Sequence, residues 1–113
     1  MARSEPISGY KVMWLFVFFD LPMNDRAARR EYVRFRKRLL ELGFTQLQYS
    51  VYARPFPSEE ALAPYRQEIR EALPPDGEVR LLPVTDRQFG KMENYVGKLR
   101  KETEKPPRQL MLF

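Results

Sequence analysis

The chain has 113 residues, which is the size of one small domain. Two domains are excluded, because each would be too small to bury a core without extra cross-links. It contains no cysteine and no histidine, which excludes disulfides, thiolate zinc sites and Ser-His-Asp catalysis. Its net charge of +5 favours a polyanionic partner, although a solvated basic surface is the alternative. Because cysteine and histidine are absent, any catalysis would depend on carboxylates with a hard metal, or on lysine, tyrosine or a hydroxyl group.

Nothing in the sequence reads as a signal peptide or a membrane span. The longest apolar run, Val12–Phe19, has 8 residues, whereas a spanning helix needs about 20. With no cysteine and no export signal, we expect a cytoplasmic protein without membrane contact.

The first part of the chain predicts a flexible leader, a strand and a helix. Residues 1–10 show no periodicity and are interpreted as the leader, and Lys11–Asp20 predicts a buried strand. Asn24 or Asp25 caps a helix that Gly43 ends. The buried stripe of this helix comprises Ala28, Tyr32, Phe35, Leu39 and Leu42.

The middle of the chain predicts extended structure followed by a second helix. Phe44–Arg54 reads as one bent strand or two short ones, ended by Pro55 and Pro57. Ser58 is expected to cap a helix that runs to Leu73, with Pro64 kinking it or marking its true start. The expected buried side of this helix comprises Leu62, Tyr65, Ile69 and Leu73.

The remaining residues predict two further strands and a tail. After a turn at residues 74–77, Glu78–Val84 predicts a strand, and Pro83 within it favours the edge of a sheet or a bulge. Met92–Gly97 predicts a last short strand. Residues 98–113 form a basic C-terminal tail, so residues 11–97 are the expected domain.

The order of elements predicts an α+β fold, a ferredoxin-like βαββαβ sandwich with an extra C-terminal strand. Both helices would lie on one face of a four-stranded antiparallel sheet. The other face would be bare, and a second copy of the chain is the simplest cover, which predicts a homodimer through the sheet.

Asp20 is a lone carboxylate that directly follows the longest apolar run. A charge at the end of a buried strand is costly unless it is paired, hydrogen-bonded or bound to metal. One interpretation is a helix-capping or turn-forming residue. The other is a catalytic Mg²⁺ ligand, because Mg²⁺ is commonly held by one or two carboxylates plus waters and phosphates, so one aspartate from each of two protomers would suffice.

The first helix carries most of the excess positive charge. Arg26, Arg30 and Arg34 recur every four residues and Arg29 lies beside them, so the four form one stripe. Guanidinium groups match phosphate oxygens, and this stripe predicts sequence-independent binding to a nucleic-acid backbone. A solvated helix face with internal glutamate pairs is the alternative. The aromatic residues are expected to pack in the core, namely Phe16, Phe18, Tyr32, Phe35 and Phe44.

Several segments together resemble the small CRISPR-associated adaptation protein, the second Cas protein. They are VFFDLP at residues 17–22, the basic helix ending LLELGF, QYSVY at 48–52 and VRLLPVTDRQFGKMENYVG at 79–97. The resemblance covers residues 11–97. The closing RQLMLF is similar to tails found in systems with a single large effector nuclease.

The resemblance implies a ferredoxin-like homodimer in which the strand after Thr85 crosses to the partner's sheet. It implies that the dimer joins CRISPR integrase dimers and binds double-stranded DNA, with Arg26, Arg29 and Arg30 at positions that contact the DNA backbone. Some members are described as Mg²⁺-dependent nucleases of RNA or DNA, with the aspartate matching Asp20 as the metal ligand, whereas in others this activity is dispensable.

Two functions are therefore expected, of different classes. The first is a non-catalytic DNA-binding scaffold for spacer acquisition, which one aspartate and no histidine favour. The second is a Mg²⁺-dependent endonuclease acting on RNA or DNA. An RNA-binding or toxin-like RNase domain of the same fold is a third alternative, disfavoured by the missing histidine and the missing stacking motif.

Overall fold

The structure is a computed structural model and describes residues 12–107. The predicted leader at residues 1–10 and the end of the predicted tail lie outside the described residues. Six strands and three helices follow one another along the described part of the chain. They are β1 (Met13–Asp20), α1 (Arg26–Glu41), β2 (Thr45–Gln48), β3 (Val51–Phe56), α2 (Leu62–Ala72), β4 (Glu78–Thr85), α3 (Asp86–Gly90), β5 (Asn94–Val96) and β6 (Leu99–Lys101).

The first four strands form one antiparallel sheet in the order β2-β3-β1-β4. This order, with a helix after β1 and another after β3, is that of the ferredoxin-like βαββαβ sandwich. The predicted fold is therefore confirmed. Of the two alternatives for Pro83, the edge is confirmed, because among residues 12–107 β4 pairs in this sheet with β1 alone.

The core lies between the sheet and the two long helices. Alternate residues of β1, namely Leu15, Val17 and Phe19, face the helices, as period-two alternation in a strand requires. The predicted stripe of α1 meets them with Tyr32, Phe35 and Leu39, each 6% exposed or less. Leu62 and Ile69 of α2 complete this layer.

Both ends of α1 form as the sequence predicts. The carboxylate of Asp25 accepts a hydrogen bond of 2.7 Å from the backbone N–H of Ala28, so Asp25 is the N-cap. At the other end Gly43 has a φ of 88°, a left-handed conformation that glycine adopts without steric cost.

The segment 44–54 forms two strands, and the second is longer than the prediction. A turn at Tyr49–Ser50 separates β2 from β3, and β3 continues through Pro55 to Phe56. The expectation that Pro55 ends the strand is wrong because β2 pairs only as far as Ala53. Beyond that point β3 has one neighbour, so the absent N–H of the proline removes no bond from a second ladder.

The second helix is shorter than predicted. Its first residue is Leu62, which places Pro64 in the first turn, where proline is tolerated. Ser58 is not the N-cap, since its hydroxyl accepts from the N–H of Ala61 in the preceding turn. Leu73 is 45% exposed and not buried, because the helix ends one residue earlier and Leu73 is extended before a proline.

The face of the sheet away from the long helices is covered in part by α3. Phe89 of α3 is 1% exposed and stacks on Trp14, with 4.2 Å between ring centroids. The indole N–H of Trp14 donates a hydrogen bond of 2.7 Å to the carboxylate of Asp86. The expectation of a bare face is therefore wrong where α3 covers Trp14. It holds in the middle of β4, where Leu82 is 48% exposed. Of the aromatic residues expected in the core, Phe18 is half-buried and the others are buried.

Strands β5 and β6 form a separate two-stranded hairpin. The predicted short strand at Met92–Gly97 is present as β5, and β6 lies in the segment predicted as the tail. Within residues 12–107, no helix has the length and apolar character needed to cross a membrane. Dimerisation and crossing of a strand to a partner stay predictions.

Candidate functional site

Asp20 is the last residue of β1 and its side chain is exposed. It alternates with Phe16 and Phe18, so its carboxylate belongs to the face of the sheet away from the long helices. No described residue donates a hydrogen bond to this carboxylate. The helix-capping role that was one interpretation of Asp20 is performed by Asp25. Asp20 is therefore accessible to a ligand at the edge where β1 ends.

Gly77 lets the turn before β4 lie close to the backbone at Asp20. Its φ is 94°, and a Cβ added to it would lie 2.8 Å from the carbonyl oxygen of Asp20 and 3.0 Å from Cα of Leu21. Any side chain at Gly77 would therefore displace the end of β1 as well as strain the turn.

Glu78 is a second carboxylate beside Asp20. It is directly opposite Asp20 in the β1–β4 ladder, so the two side chains share one face. Glu78 also lies 3.5 Å from the guanidinium of Arg80, and both side chains are more than half exposed. Because an ion pair between exposed side chains contributes little stability, Glu78 can bind another cation instead of Arg80. Sequence reasoning missed Glu78 because its nearness to Asp20 depends on strand register.

The donor set fits Mg²⁺ in kind, since Mg²⁺ takes oxygen ligands and keeps several waters. Asp20 and Glu78 are the carboxylates that would hold it. In the part of the chain that the structure describes, no group of three or more His, Cys, Asp or Glu residues is placed to bind a metal. One chain thus offers two carboxylates to a metal ion, and a second protomer or a phosphate group would supply further oxygen ligands.

The arginine stripe of α1 divides into two parts. Arg26, Arg29 and Arg30 are exposed in the first turns and form no ion pair with a described acidic residue. The guanidinium of Arg34 instead donates to Glu31 at 2.9 Å and to the carbonyl oxygen of Ala72 at 3.0 Å. The helix therefore presents three of the four predicted arginines to a ligand and uses the fourth to contact α2.

A second arginine also connects the two long helices. Arg38 donates to the carboxylate of Glu68 and lies 3.5 Å from Glu41. The hydrogen bond that Arg38 donates to Glu68 raises the pKa of Arg38 above its ordinary value, and Glu41 adds to the effect. The ion pairs of α1 with described residues thus lie in its middle and C-terminal part, at Arg34 and Arg38, whereas Arg26, Arg29 and Arg30 in its first turns have none.

An exposed tyrosine lies close to these arginines. Tyr49 in the turn between β2 and β3 is 65% exposed and stacks on Tyr32 of α1, with 5.9 Å between centroids. Burial raises the pKa of Tyr32 to about 12, and the hydroxyl of Tyr49 adds to this shift. Sequence reasoning missed Tyr49, because it predicted extended structure for the whole of residues 44–54 and no turn at this residue.

Comparison with known proteins places the chain in a family. Residues 13–92 match the family described as CRISPR associated protein Cas2. A CRISPR-associated endoribonuclease Cas2 from Parvibaculum lavamentivorans is 48% identical over 101 residues, which cover 89% of this chain and 100% of the relative. A protein with the same description from Flavobacterium psychrophilum is 42% identical over 107 residues, 95% of this chain and 93% of the relative. The chain therefore belongs to the Cas2 family of CRISPR-associated proteins.

Proposed function

We propose that the chain acts in CRISPR spacer acquisition as a homodimeric scaffold that binds double-stranded DNA. It joins integrase dimers in the cytoplasm, and the assembly captures and integrates new spacers. Membership of the Cas2 family supports a role in CRISPR adaptation. The observation that carries the DNA-binding part of the proposal is the exposed group Arg26, Arg29 and Arg30, which no described acidic residue neutralises.

Three arginines on the first turns of one helix suit the phosphate backbone. Guanidinium groups form paired, charge-assisted hydrogen bonds with phosphate oxygens. The three side chains are exposed, and arginines at helical spacing offer no base-reading device by themselves. Binding of this kind positions a duplex without reading its sequence, which suits a protein that must accept any spacer.

The uncovered part of the sheet supports the dimer. Leu82 of β4 and three residues of the hairpin, Tyr95, Val96 and Leu99, are between 48% and 76% exposed. A two-stranded hairpin is marginally stable alone, and each of its strands has one edge without a partner within residues 12–107. A second copy would cover the apolar side chains and pair with a free edge.

A Mg²⁺-dependent endonuclease of RNA or DNA is the second candidate function. The relatives carry the description endoribonuclease, and Asp20 is accessible beside Glu78. When bound, the metal would polarise a phosphodiester and lower the pKa of a water molecule. Asp20 and Glu78 would hold the metal. This function ranks second because the described chain brings no further acid or base to the site.

The salt dependence of duplex binding tests the scaffold proposal. The affinity for blunt duplexes of unrelated sequence should be similar and should fall steeply with salt, by a slope of about 0.9 for each phosphate contacted. Alanine at Arg26, Arg29 or Arg30 should lower the slope by roughly one unit for every sequence. Lys91→Ala, an exposed cation on the far side of the sheet, is the control. A slope near zero, or equal losses in the control, would overturn the proposal.

A further inference from the structure

We propose that Tyr49 and Arg29 form a binding site for an unpaired nucleotide, whose base stacks on the ring of Tyr49 while Arg29 contacts its phosphate. The inference rests on the proposed nucleic-acid binding and deepens it, because a duplex has no unpaired base to offer. The ligand is the unpaired part of a strand, such as the single-stranded end of a partly double-stranded DNA.

The ring of Tyr49 is both open and supported. It is 65% exposed, and its inner side stacks on Tyr32 at an angle of 24° between ring planes. Tyr32 is 6% exposed and packs against Phe19 in the core. An aromatic ring backed by a buried ring leaves its outer side free for a base, and stacking of this kind tolerates any base.

Two further contacts fix the position of Tyr49. Its hydroxyl donates to the sulfur of Met23 at 3.5 Å, and its carbonyl oxygen accepts a hydrogen bond of 3.3 Å from the side chain of Gln46. A tyrosine has few rotatable bonds, and these contacts restrict them before any ligand arrives. Little conformational entropy is therefore lost when a base binds.

Positive charge flanks the same ring. The guanidinium of Arg29 donates to the carbonyl oxygen of Met23 at 3.3 Å, so Met23 contacts both the arginine and the tyrosine. Arg29 precedes Tyr32 by three residues and Arg36 follows it by four, which places both on the side of α1 that supports Tyr49. An aromatic ring between cations is the arrangement that single-stranded nucleic acid binds.

The second exposed tyrosine of the described chain has different surroundings. Tyr95 of β5 is 57% exposed, but its hydroxyl donates to the carboxylate of Glu93 at 2.8 Å. An acidic neighbour repels phosphate, so exposure alone does not make Tyr95 a nucleotide site.

The test measures binding of a short fluorescent oligothymidine and of a blunt duplex over a range of salt concentrations. Tyr49→Ala should weaken oligothymidine binding by roughly five-fold or more with an unchanged salt slope, since stacking releases no counterions. Leu73→Ala, which removes an exposed apolar side chain away from the proposed site, should bind like the wild type. Tyr49→Phe keeps the ring that stacks and should retain most of the affinity, whereas Arg29→Ala should lower the slope by about one unit. Oligouridine of equal length identifies whether the unpaired strand is DNA or RNA.

The outcomes separate this inference from the proposed function. Tyr49→Ala with wild-type affinity for both single strands overturns the inference, while duplex binding by the same protein leaves the scaffold standing. Equal weakening by Leu73→Ala also overturns it. If the wild type binds no nucleic acid, both proposals fall. Irradiation of an oligothymidine containing 5-iodouracil should attach it to the peptide that carries Tyr49, and attachment only elsewhere contradicts the site.

Discussion

The guanidinium of Arg34 donates a hydrogen bond of 3.0 Å to the carbonyl oxygen of Ala72, the last residue of α2. This contact occupies one of the backbone acceptors that every helix leaves without a partner at its C-terminal end. Arg34 therefore stabilises the packing of α1 on α2, whereas Arg30, one turn earlier on the same stripe, is exposed and available to a ligand.

Arg34→Ala should lower the free energy of unfolding by about 1 kcal/mol, the usual contribution of one such hydrogen bond. It should leave the salt slope of DNA binding almost unchanged. Arg30→Ala is the matched control and should do the reverse. Urea unfolding and salt titrations of both variants check this, and an Arg34→Ala protein of full stability with a reduced slope would assign Arg34 to the DNA.

Leu82→Glu should convert the dimer to a monomer. The side chain is 48% exposed in the middle of β4, and a charge there would be buried without a partner if two sheets meet. Leu73→Glu is the control, because Leu73 is 45% exposed on the opposite side of the molecule. Light scattering should give twice the chain mass for the wild type and for Leu73→Glu. A wild-type monomer, or a Leu82→Glu dimer, contradicts an interface at this face.

Tyr32 should make stability depend on pH in alkaline solution. Its pKa rises from 10.0 unfolded to about 12 folded, chiefly by burial, so the folded state favours the neutral phenol. This contribution is fully present below pH 10 and is lost as the pH rises through about 12. It amounts to ~2–3 kcal/mol at most.

The comparison of the wild type with Tyr32→Phe isolates this contribution from other titrating groups. Chemical unfolding should show that the free energy of unfolding of the wild type falls more than that of the variant between pH 10 and 12. Parallel pH profiles of the two proteins would mean that the phenol ionises equally well in the folded state.

Local patterns were enough to predict most of the fold. The stripe that includes Tyr32, Phe35 and Leu39 has the period of a helix, and Gly43 is a residue type that ends helices, so neighbours in sequence decide both features. Proline misled the prediction at Pro55, because its effect depends on whether a neighbouring strand is present, and that is a property of the sheet.

The site was predicted less completely because it depends on residues far apart in the chain. Asp20 is conspicuous after an apolar run, but Glu78 and Gly77 meet it only through the register of β1 and β4. In the same way, helical spacing placed Arg34 with Arg30, and only the packing of α2 separates their roles. The roles of Asp20 and of the arginines in binding stay predictions.

Asp20→Asn should abolish any Mg²⁺-dependent cleavage of RNA or DNA and leave the fold intact, because the side chain is exposed and forms no hydrogen bond with a described residue. Glu78→Gln should reduce cleavage if both carboxylates hold the metal. Nuclease assays of rigorously purified proteins, with and without Mg²⁺, check this. Full activity of Asp20→Asn would assign cleavage to other residues or to a contaminant.

Spacer integration by the complete complex with the CRISPR integrase tests the scaffold account most directly. The measurement is the amount of a duplex that is inserted into a repeat array, compared between Asp20→Asn and a variant with alanine at Arg26, Arg29 and Arg30. The account predicts that the arginine variant loses most integration while Asp20→Asn retains it. Normal integration by the arginine variant together with failure of Asp20→Asn would contradict the scaffold and favour the enzyme.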